Sequence, residues 1–369
     1  MGVEAGNRRD RWSLDSSLEE LNQLARTAGA DVIGRLTQKL ERPSSTHYIG
    51  SGKLQELIDL KQELNYDTVV INDELAPRQQ RNLEEALEVK VIDRTALILD
   101  IFAASARTRE GKLQVELAQH EYLLPRLEGQ WSHLERLGGG IGTRGPGESQ
   151  IETDRRLIRK RINSIGKQIE AVRRHRELYR RQRKKANTPL VALVGYTNAG
   201  KSTLLNAICQ ADVITENKLF STLDPVTRRL RLPGGRTILL TDTVGFIHKL
   251  PPLIVAAFHA TLEELDEANL LLHVVDITSP EAVNQSVTVE SILRKLRLDQ
   301  KPRITVINKM DRVVDGIEEA QSVYFEVKSE PESTIAVSAI KGWNLDKLIG
   351  MMKRFLADSN PVVEGEQTY

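Results

Sequence analysis

The first third of the chain alternates between helical and strand-like spacing of apolar residues. Leucines at helical spacing, and two later amphipathic segments, predict helices at 14–28, 52–64 and 77–88. Short β-branched runs between them predict strands at 31–38, 67–73 and 89–93. Strands that alternate with helices of about a dozen residues are typical of parallel βαβ units. We therefore expect residues 1–106 to form a small α/β domain.

A different pattern follows, in which apolar positions recur at alternating spacings of four and three. The first such stripe contains Leu113, Leu117, His120, Leu124, Leu127, Trp131 and Leu134. The second contains Ile158, Ile162, Ile165, Ile169, Val172 and Tyr179. Two stripes separated by a turn predict an antiparallel helical hairpin over 107–188, kinked at Pro125. Its tip is predicted to be the glycine-rich stretch GGGIGTRGPGES (138–149).

The remainder of the chain has the pattern of a doubly wound α/β domain, predicted over 189–369. Apolar runs typical of buried strands alternate there with helical stretches and lie at 191–195, 237–242, 270–276 and 303–308. The predicted fold class is thus α/β throughout, with the helical hairpin between a small parallel domain and a larger one.

Composition narrows the cellular setting. None of the 369 residues lies in an apolar run near the roughly 20 residues that span a bilayer, and the N-terminus lacks the apolar core of a signal peptide. A single cysteine, Cys209, excludes an intramolecular disulfide and favours a reducing compartment. We expect a cytoplasmic protein, with peripheral membrane association as the alternative.

The charge distribution is strongly uneven. Residues 155–185 contain 14 Lys or Arg and two acidic residues, a net +12 in a chain whose total is +1. Such a block is either a solvated helix face or a surface for a polyanion such as RNA. Glycines and Arg144 at the hairpin tip favour close approach to an RNA backbone. The alternative is that the hairpin is only an intramolecular spacer.

The strongest motif is GYTNAGKS (195–202), which follows a predicted strand and opens a predicted helix. It fits the P-loop pattern, whose backbone N–H groups surround phosphates at a helix N-terminus. Lys201 is predicted to contact the β- and γ-phosphates, and Ser202 to ligate Mg²⁺. The predicted binding residues are Gly195, Tyr196, Thr197, Asn198, Ala199, Gly200, Lys201, Ser202 and Thr203.

Two further segments predict which base is bound. The NKMD segment follows the predicted strand at 303–308, and a carboxylate at Asp311 can accept from the ring N–H and amino group of guanine. Its residues are Asn308, Lys309, Met310 and Asp311. Downstream, a backbone N–H from Ser338, Ala339 or Ile340 can meet guanine O6. The expected ligands are therefore GTP and GDP.

Two loops are predicted to sense the γ-phosphate. The DTVG loop contributes Asp242, Thr243, Val244 and Gly245, and the FSTLDP loop contributes Phe220, Ser221 and Thr222. Thr222 is favoured over Ser221 and Thr227 as an Mg²⁺ ligand. The predicted metal residues are Ser202, Thr222 and Asp242; the predicted catalytic residues are Lys201, Thr222 and Gly245.

These motifs together resemble the HflX family of ribosome-associated GTPases. The matching segments, which cover nearly the whole chain, are YIGSGKLQEL, LDIFAASARTREGKLQVELAQ, RLGGGIGTRGPGESQIETDRR, GYTNAGKST, FSTLDP, DTVGF, NKMD and SAIKGWN. The resemblance implies an N-terminal α/β domain, a helical hairpin and a GTPase domain. It also implies binding to the large ribosomal subunit and its rRNA, with a role in splitting or rescuing ribosomes stalled under stress.

The chain departs from the family pattern at its ends, where members usually have a strand before the GVE segment and many extend past the GTPase domain. Phe246 stands where many GTPases have a water-orienting glutamine, a feature the family shares. A phenylalanine cannot hydrogen-bond the attacking water, so the free protein is expected to be a slow GTPase that the ribosome stimulates. Asn198 resembles the asparagine of K⁺-activated GTPases, which makes K⁺ a candidate cofactor; a structural asparagine is the alternative.

Three other functions stay open from the sequence. The protein is alternatively a ribosome-assembly GTPase, or a signalling GTPase that binds membranes or proteins. The third is an ATP-driven RNA remodeller using the GSGKLQE segment (50–56), although that segment also fits a helix N-terminus. We expect a monomer.

Overall fold

The computed structural model describes residues 1–6, 12–130, 146–185, 188–210, 219–220, 222–257, 259–316, 318 and 333–358. These residues form ten β-strands and eleven α-helices. The chain divides into two compact units. The first contains residues 1–176 and 249–258, and the second contains residues 177–248 and 259–369.

The first unit begins with two small parallel sheets flanked by helices. Strands β1 and β2 pair with each other, as do β3 and β4. These strands are β1 (Gly2–Ala5), β2 (Thr37–Leu40), β3 (Thr68–Ile71) and β4 (Lys90–Asp93). The helices are α1 (Leu14–Thr27), α2 (Ser51–Leu64), α3 (Pro77–Leu87) and α4 (Arg94–Ser105).

Local sequence explains where several of these helices begin. The Ser13 hydroxyl accepts from the Ser16 N–H at the start of α1, and the Asp93 carboxylate accepts from the Ala96 N–H at the start of α4. A proline at the first position of α3 matches the preference for proline where no intrahelical N–H is needed. The core between the helices and the sheets contains Ile71, Leu83, Leu87 and Val91.

The strand predicted at 31–38 is wrong in its position. Strand β2 begins only at Thr37, because its register with β1 pairs Gly2 with Thr37 and leaves the preceding residues outside the ladder. Ile33, which suggested a buried strand, is exposed. Strand β1 and helix α4 were not predicted.

The hairpin consists of α5 (Arg109–Gln130) and α6 (Pro146–Lys185). Helix α5 continues through Pro125. The predicted stripe of α6 is its inward side: Ile165 is fully buried, and Ile158, Ile162, Ile169 and Val172 are half-buried. Ion pairs between Arg161 and Glu116 and between Arg176 and Glu110 join the arms. Their order shows that the arms run antiparallel.

Part of the predicted tip falls outside the described residues. Trp131, Leu134 and residues 138–145, including Arg144, are not described. Residues 146–149, which were predicted in the tip loop, form the first turn of α6.

The second unit is built on a six-stranded sheet in the order β10-β9-β8-β5-β7-β6, parallel except for β6. Its strands are β5 (Leu190–Gly195), β6 (Val226–Arg231), β7 (Thr237–Asp242), β8 (Leu270–Asp276), β9 (Arg303–Asn308) and β10 (Thr334–Ala336). Its helices are α7 (Lys201–Cys209), α9 (His259–Glu267), α10 (Ala282–Lys295) and α11 (Leu345–Asp358). Helix α8 (Pro252–Ala257) belongs to the first unit.

Every residue of β5 is buried, as expected for a central strand with helices on both faces. The four strands predicted from apolar runs are all present, whereas the antiparallel edge strand β6 was not predicted. Because parallel strands end at the same edge, the loops after β5, β7, β8 and β9 converge there. In the described part of the chain, no helix is long and apolar enough to cross a membrane.

Burial of His273 in β8 predicts how stability depends on pH. Burial lowers the pKa of this imidazole to about 3, whereas an unfolded histidine titrates near 6.5. The unfolded chain therefore binds an extra proton below that pH, so stability falls as pH falls from 6.5 towards 3, by up to ~1.4 kcal/mol per pH unit.

We expect the His273→Asn variant to lose about 2 kcal/mol less than the parent between pH 6.5 and 4.5 in urea unfolding. Parallel losses in the two proteins would show that His273 is not the titrating group.

Candidate nucleotide-binding site

The P-loop joins the buried end of β5 to the first turn of α7. Gly200 precedes α7 with a φ of +92°, which favours glycine, and a Cβ there would lie 2.4 Å from the Asn308 amide nitrogen. Lys201 is buried, and its ammonium donates to the Tyr196 carbonyl at 2.9 Å. The loop therefore presents a buried cation at the N-terminus of a helix, which is a suitable environment for phosphate.

Three oxygen-bearing side chains converge beside this cation. The Ser202 hydroxyl donates to Asp242 Oδ2 at 2.6 Å and lies 2.8 Å from the Thr222 hydroxyl. The second oxygen of the fully buried Asp242, Oδ1, has no hydrogen-bond partner among the described residues. A buried carboxylate oxygen without a donor, next to two hydroxyls, fits a hard divalent cation such as Mg²⁺.

The charges at this site are mutually dependent. Burial lowers the pKa of Lys201 to about 8, and the Asp242 carboxylate opposes that shift. Burial also raises the pKa of Asp242, against the effect of Lys201 and of the hydroxyl of Ser202. Each charge is costly to bury alone, so phosphate and a cation would stabilise both.

The DTVG loop lies directly on the P-loop. A Cβ on Gly245 would lie 2.6 Å from the Thr197 Cα and 3.0 Å from the Lys201 ammonium, so the close approach requires glycine. The next residue, Phe246, accepts from the Thr197 N–H at 2.8 Å and donates its own N–H to the Gly195 carbonyl at 3.0 Å. Gly245 is thereby held next to the ammonium of Lys201.

The FSTLDP loop contacts the same P-loop residue. The Phe220 N–H donates to the Thr197 hydroxyl at 3.0 Å, and Phe220 is a buried non-glycine residue with a φ of +59°. Thr222 lies at the metal-type cluster described above, whereas Thr227 is part of strand β6, where its hydroxyl lies 2.8 Å from that of Thr241. Ser221 lies outside the described residues.

Asn308 connects the NKMD segment to the P-loop. Its amide nitrogen donates to the Ala199 carbonyl at 3.0 Å, and its amide oxygen accepts from the Ala339 N–H at 3.1 Å. Ala339 therefore uses its N–H within the protein. Lys309 lies alongside and donates to the Asn198 carbonyl and to Asp276. Asp311 accepts from the Ser338 hydroxyl at 2.5 Å.

The three regions of the chain match family models for GTP-binding proteins. The models are described as the N-terminal region of a GTP-binding GTPase (residues 15–103), its middle region (105–183) and a 50S ribosome-binding GTPase (190–309). GTPase HflX of Caldanaerobacter subterraneus subsp. tengcongensis is 52% identical over 349 residues, covering 95% of this chain and 79% of that protein. The chain belongs to the HflX family of GTPases.

A second HflX GTPase, from Escherichia coli, is 47% identical over 298 residues, which is 81% of this chain and 70% of that protein. Among solved structures, a GTP-binding protein of Sulfolobus solfataricus in complex with GDP is 25% identical. The alignment covers 97% of this chain and 98% of that one, with a TM-score of 0.47. The resemblance drawn from the sequence motifs is confirmed, and so is the fold class with its P-loop GTPase domain. This HflX-family chain is a GTP hydrolase.

Ten of the predicted nucleotide residues of this HflX-family chain line one open cleft. They are Thr197, Asn198, Gly200, Lys201, Ser202, Thr203, Phe220, Thr222, Thr243 and Gly245. Tyr196, Ala199, Val244 and Met310 are buried and do not line this cleft. The Tyr196 hydroxyl accepts from the His248 N–H at 2.7 Å, so this side chain fixes the DTVG loop from behind.

One residue of the site was missed from the sequence. Asp276 ends β8 and accepts from the Lys309 ammonium at 2.7 Å and from the Thr278 hydroxyl at 2.6 Å. Like Asp242, Asp276 is the last residue of an apolar strand, and this position in the sequence could have identified it as a site residue.

The bridging role of Asn308 predicts a large effect of Asn308→Ala. The change removes both hydrogen bonds that hold the P-loop to the 338–340 loop, so affinity for GDP and GTP should fall together by about 30- to 100-fold. Titration with a fluorescent GDP analogue measures this.

Asn284→Ala is the matched control, because Asn284 in α10 donates to Glu281, the residue that precedes this helix, and neither residue lines the cleft. Equal affinities for the parent and Asn308→Ala would contradict the bridging role.

Proposed function

We propose that this protein is a Mg²⁺-dependent GTPase switch that binds the large ribosomal subunit in its GTP state and leaves after hydrolysis. In this role it splits or rescues stalled ribosomes. The convergence of Ser202, Thr222 and Asp242 beside Lys201 carries the nucleotide part of the proposal. The family description as a 50S ribosome-binding GTPase supports the ribosomal part.

The residues of the cleft divide the chemistry among them. The hydroxyls of Ser202 and Thr222, with the carboxylate of Asp242 beside them, would hold Mg²⁺. The ion would neutralise phosphate charge. Lys201 and the N–H groups at the start of α7 bind the β- and γ-phosphates and stabilise charge that develops during transfer. Gly245 lies close to the Lys201 ammonium, and we propose that its N–H meets the γ-phosphate, so that the DTVG loop senses its presence.

Phe246, the residue after Gly245, is not suited to orient the attacking water. Phe246 is buried, with only 1% of its surface exposed, and its backbone groups bond the P-loop. We therefore propose slow hydrolysis by the free protein and stimulation by the ribosome, which would complete the site.

Selectivity for guanine is proposed to depend on Asp311. Asp311 is the middle residue of a 3₁₀ turn, Met310–Arg312, and its carboxylate accepts from the Ser338 hydroxyl. A carboxylate at this position pairs with the two N–H donors of guanine, whereas adenine lacks that donor pair.

Replacing Asp311 with Asn should exchange the preferred base. The amide can donate to the carbonyl that xanthine has at position 2, so XTP hydrolysis should rise relative to GTP hydrolysis by at least about 100-fold. Competition between GTP, XTP and ATP for single-turnover hydrolysis measures the change. Tight binding of ATP by the parent would contradict the assignment of the base site.

The long arm α6 is proposed to contact ribosomal RNA. Along its described side chains, exposed basic residues include Arg156, Arg159, Lys160, Lys167 and Arg174. These side chains point away from the inward stripe, and a face of this charge binds phosphates with release of counterions. The tip, residues 138–149, is proposed to add close backbone contacts.

Three alternatives are tested alongside. A ribosome-assembly GTPase would bind the large subunit without releasing it from the small one. A membrane-binding GTPase would use the same basic face on acidic lipid. The ATP-dependent remodeller is least supported, because the GSGK segment begins helix α2 and the Gly50 N–H bonds the Gln38 side chain.

Removing arm charges should weaken ribosome binding in proportion to the phosphates lost. We expect Arg159→Ala/Lys160→Ala/Lys167→Ala to lower affinity for the large subunit at least about ten-fold at physiological salt. The readout is cosedimentation with a non-hydrolysable GTP analogue, with GDP and with GTP. The control Arg294→Ala/Lys295→Ala/Arg297→Ala removes the same charge from the second unit.

The outcomes separate the alternatives. Co-migration that depends on the triphosphate, with release of subunits, supports the proposal. Co-migration without subunit release leaves the assembly function, and no triphosphate-dependent co-migration overturns the ribosomal proposal. Deleting 139–147 should spare GTP binding and abolish the ribosome-dependent activity.

Several finer points belong to the same proposal. A ribosome-binding role and the single cysteine support a cytoplasmic location, and we propose in addition that the protein is a monomer. Asn198 is exposed in the P-loop with a φ of +61°, and we propose that its side chain is a ligand of K⁺. Faster hydrolysis in KCl than in NaCl, lost in Asn198→Ala, would support K⁺ binding; equal rates would leave Asn198 with a structural role.

We also propose the domain limits 1–106, 107–188 and 189–369.

A further inference from the structure

The chain segment after the DTVG loop has an unexpected location. The chain passes from the second unit into the first at Lys249 and returns to the second at His259. Only three residues separate Gly245 from Lys249. A segment proposed to sense the γ-phosphate is thus continuous with one that is packed into the N-terminal unit.

Two contacts hold this segment within the first unit. Helix α8 packs against α5, and its Ile254 is completely buried. At the start of the segment, the Lys249 ammonium donates to Asp73 Oδ1 at 2.7 Å. The segment is therefore attached by a buried apolar side chain and by an ion pair.

The ion pair is partly shielded from water. Asp73 follows strand β3 and is 7% exposed, whereas the Lys249 side chain is 21% exposed. The second oxygen of Asp73, Oδ2, accepts from the buried hydroxyl of Tyr48 at 2.6 Å. An ion pair in this setting is screened less than a surface pair, and its carboxylate is fixed by a second bond.

The backbone conformation of Lys249 indicates that surrounding contacts fix this residue in place. Lys249 has a φ of +53°, in the left-handed region that a lysine enters only at a cost. Such a conformation persists where surrounding contacts determine it. The ion pair to Asp73 is one of these contacts.

We propose that Asp73 is a positioning residue for GTP hydrolysis, which acts through Lys249 to fix the end of the segment that carries Gly245. Between Gly245 and Lys249, Phe246 is bonded to the P-loop through the Thr197 N–H and the Gly195 carbonyl. Holding the backbone of Lys249 in one conformation limits the conformations of the adjoining residues 245–248, so less entropy is lost when the Gly245 N–H meets the γ-phosphate. Because GDP has no γ-phosphate, its binding is independent of this restraint.

The inference rests on the proposed placement of Gly245, and its test separates the two. The full-length chain is compared with Asp73→Asn, Lys249→Met, the double variant and Gly245→Ala. For each we measure dissociation constants for GDP and for a non-hydrolysable GTP analogue, and the single-turnover rate of GTP hydrolysis. Glu56→Gln is the matched control, because it breaks the 2.6 Å ion pair of Lys53 with Glu56 in α2 of the same unit.

We expect Asp73→Asn and Lys249→Met each to lower analogue affinity and hydrolysis rate by about three- to ten-fold, with GDP affinity within about two-fold of the parent. The double variant should be no worse than the more affected single variant, since both remove one interaction. Glu56→Gln should match the parent. Thermal unfolding checks folding, and Lys249→Met, which leaves the Tyr48 bond to Asp73 intact, carries the test if Asp73→Asn is unstable.

Two results would overturn the inference. One is an unchanged ratio of analogue to GDP affinity in both single variants while Gly245→Ala changes that ratio. The other is additive losses in the double variant. An unchanged ratio in Gly245→Ala itself would overturn the proposed placement of Gly245, and with it the basis of the inference.

Discussion

The nucleotide site depends on one buried carboxylate. Asp242 lies at the end of a central strand with no exposed surface, bonded on one oxygen by Ser202 and with no partner for the other among the described residues. A charge in this position is unfavourable unless cations surround it. Lys201 supplies one positive charge, and the arrangement of Ser202 and Thr222 provides for a second. Binding of phosphate and of a divalent cation, as we propose, would offset this electrostatic imbalance.

The other parts of the cleft are held in register with this centre by short-range bonds. Asn308 ties the P-loop to two separate loops of the second unit. Thr197 has a similar position for the DTVG and FSTLDP loops, because its N–H bonds Phe246 and its hydroxyl bonds Phe220. Both loops are therefore joined to the P-loop through the same residue. The loop that contains Gly245 then continues into the first unit, where the ion pair with Asp73 holds it.

The sequence predicted which residues come together in the cleft better than it predicted the contacts that hold them in place. Lys201, Ser202 and Asp242 were predicted because phosphate and metal chemistry limits which residues can occupy fixed positions after a strand, and the structure brings these residues together. Asp276 was missed, and so was the ion pair between Lys249 and Asp73, because their partners are distant in the chain. The strand predicted from Val32 and Ile33 failed for the same reason: pairing with β1, not local propensity, determines where β2 begins.

The most direct test of the central role of Asp242 is the dependence of GTP binding on Mg²⁺ in the parent and in Asp242→Asn. Calorimetric titration with and without Mg²⁺ gives the change in GTP affinity that the ion produces in each protein. If the buried carboxylate is required for binding of the cation, Mg²⁺ strengthens GTP binding to the parent at least about ten-fold and has little effect on GTP binding to Asp242→Asn. An equal effect of Mg²⁺ on both proteins would contradict this role.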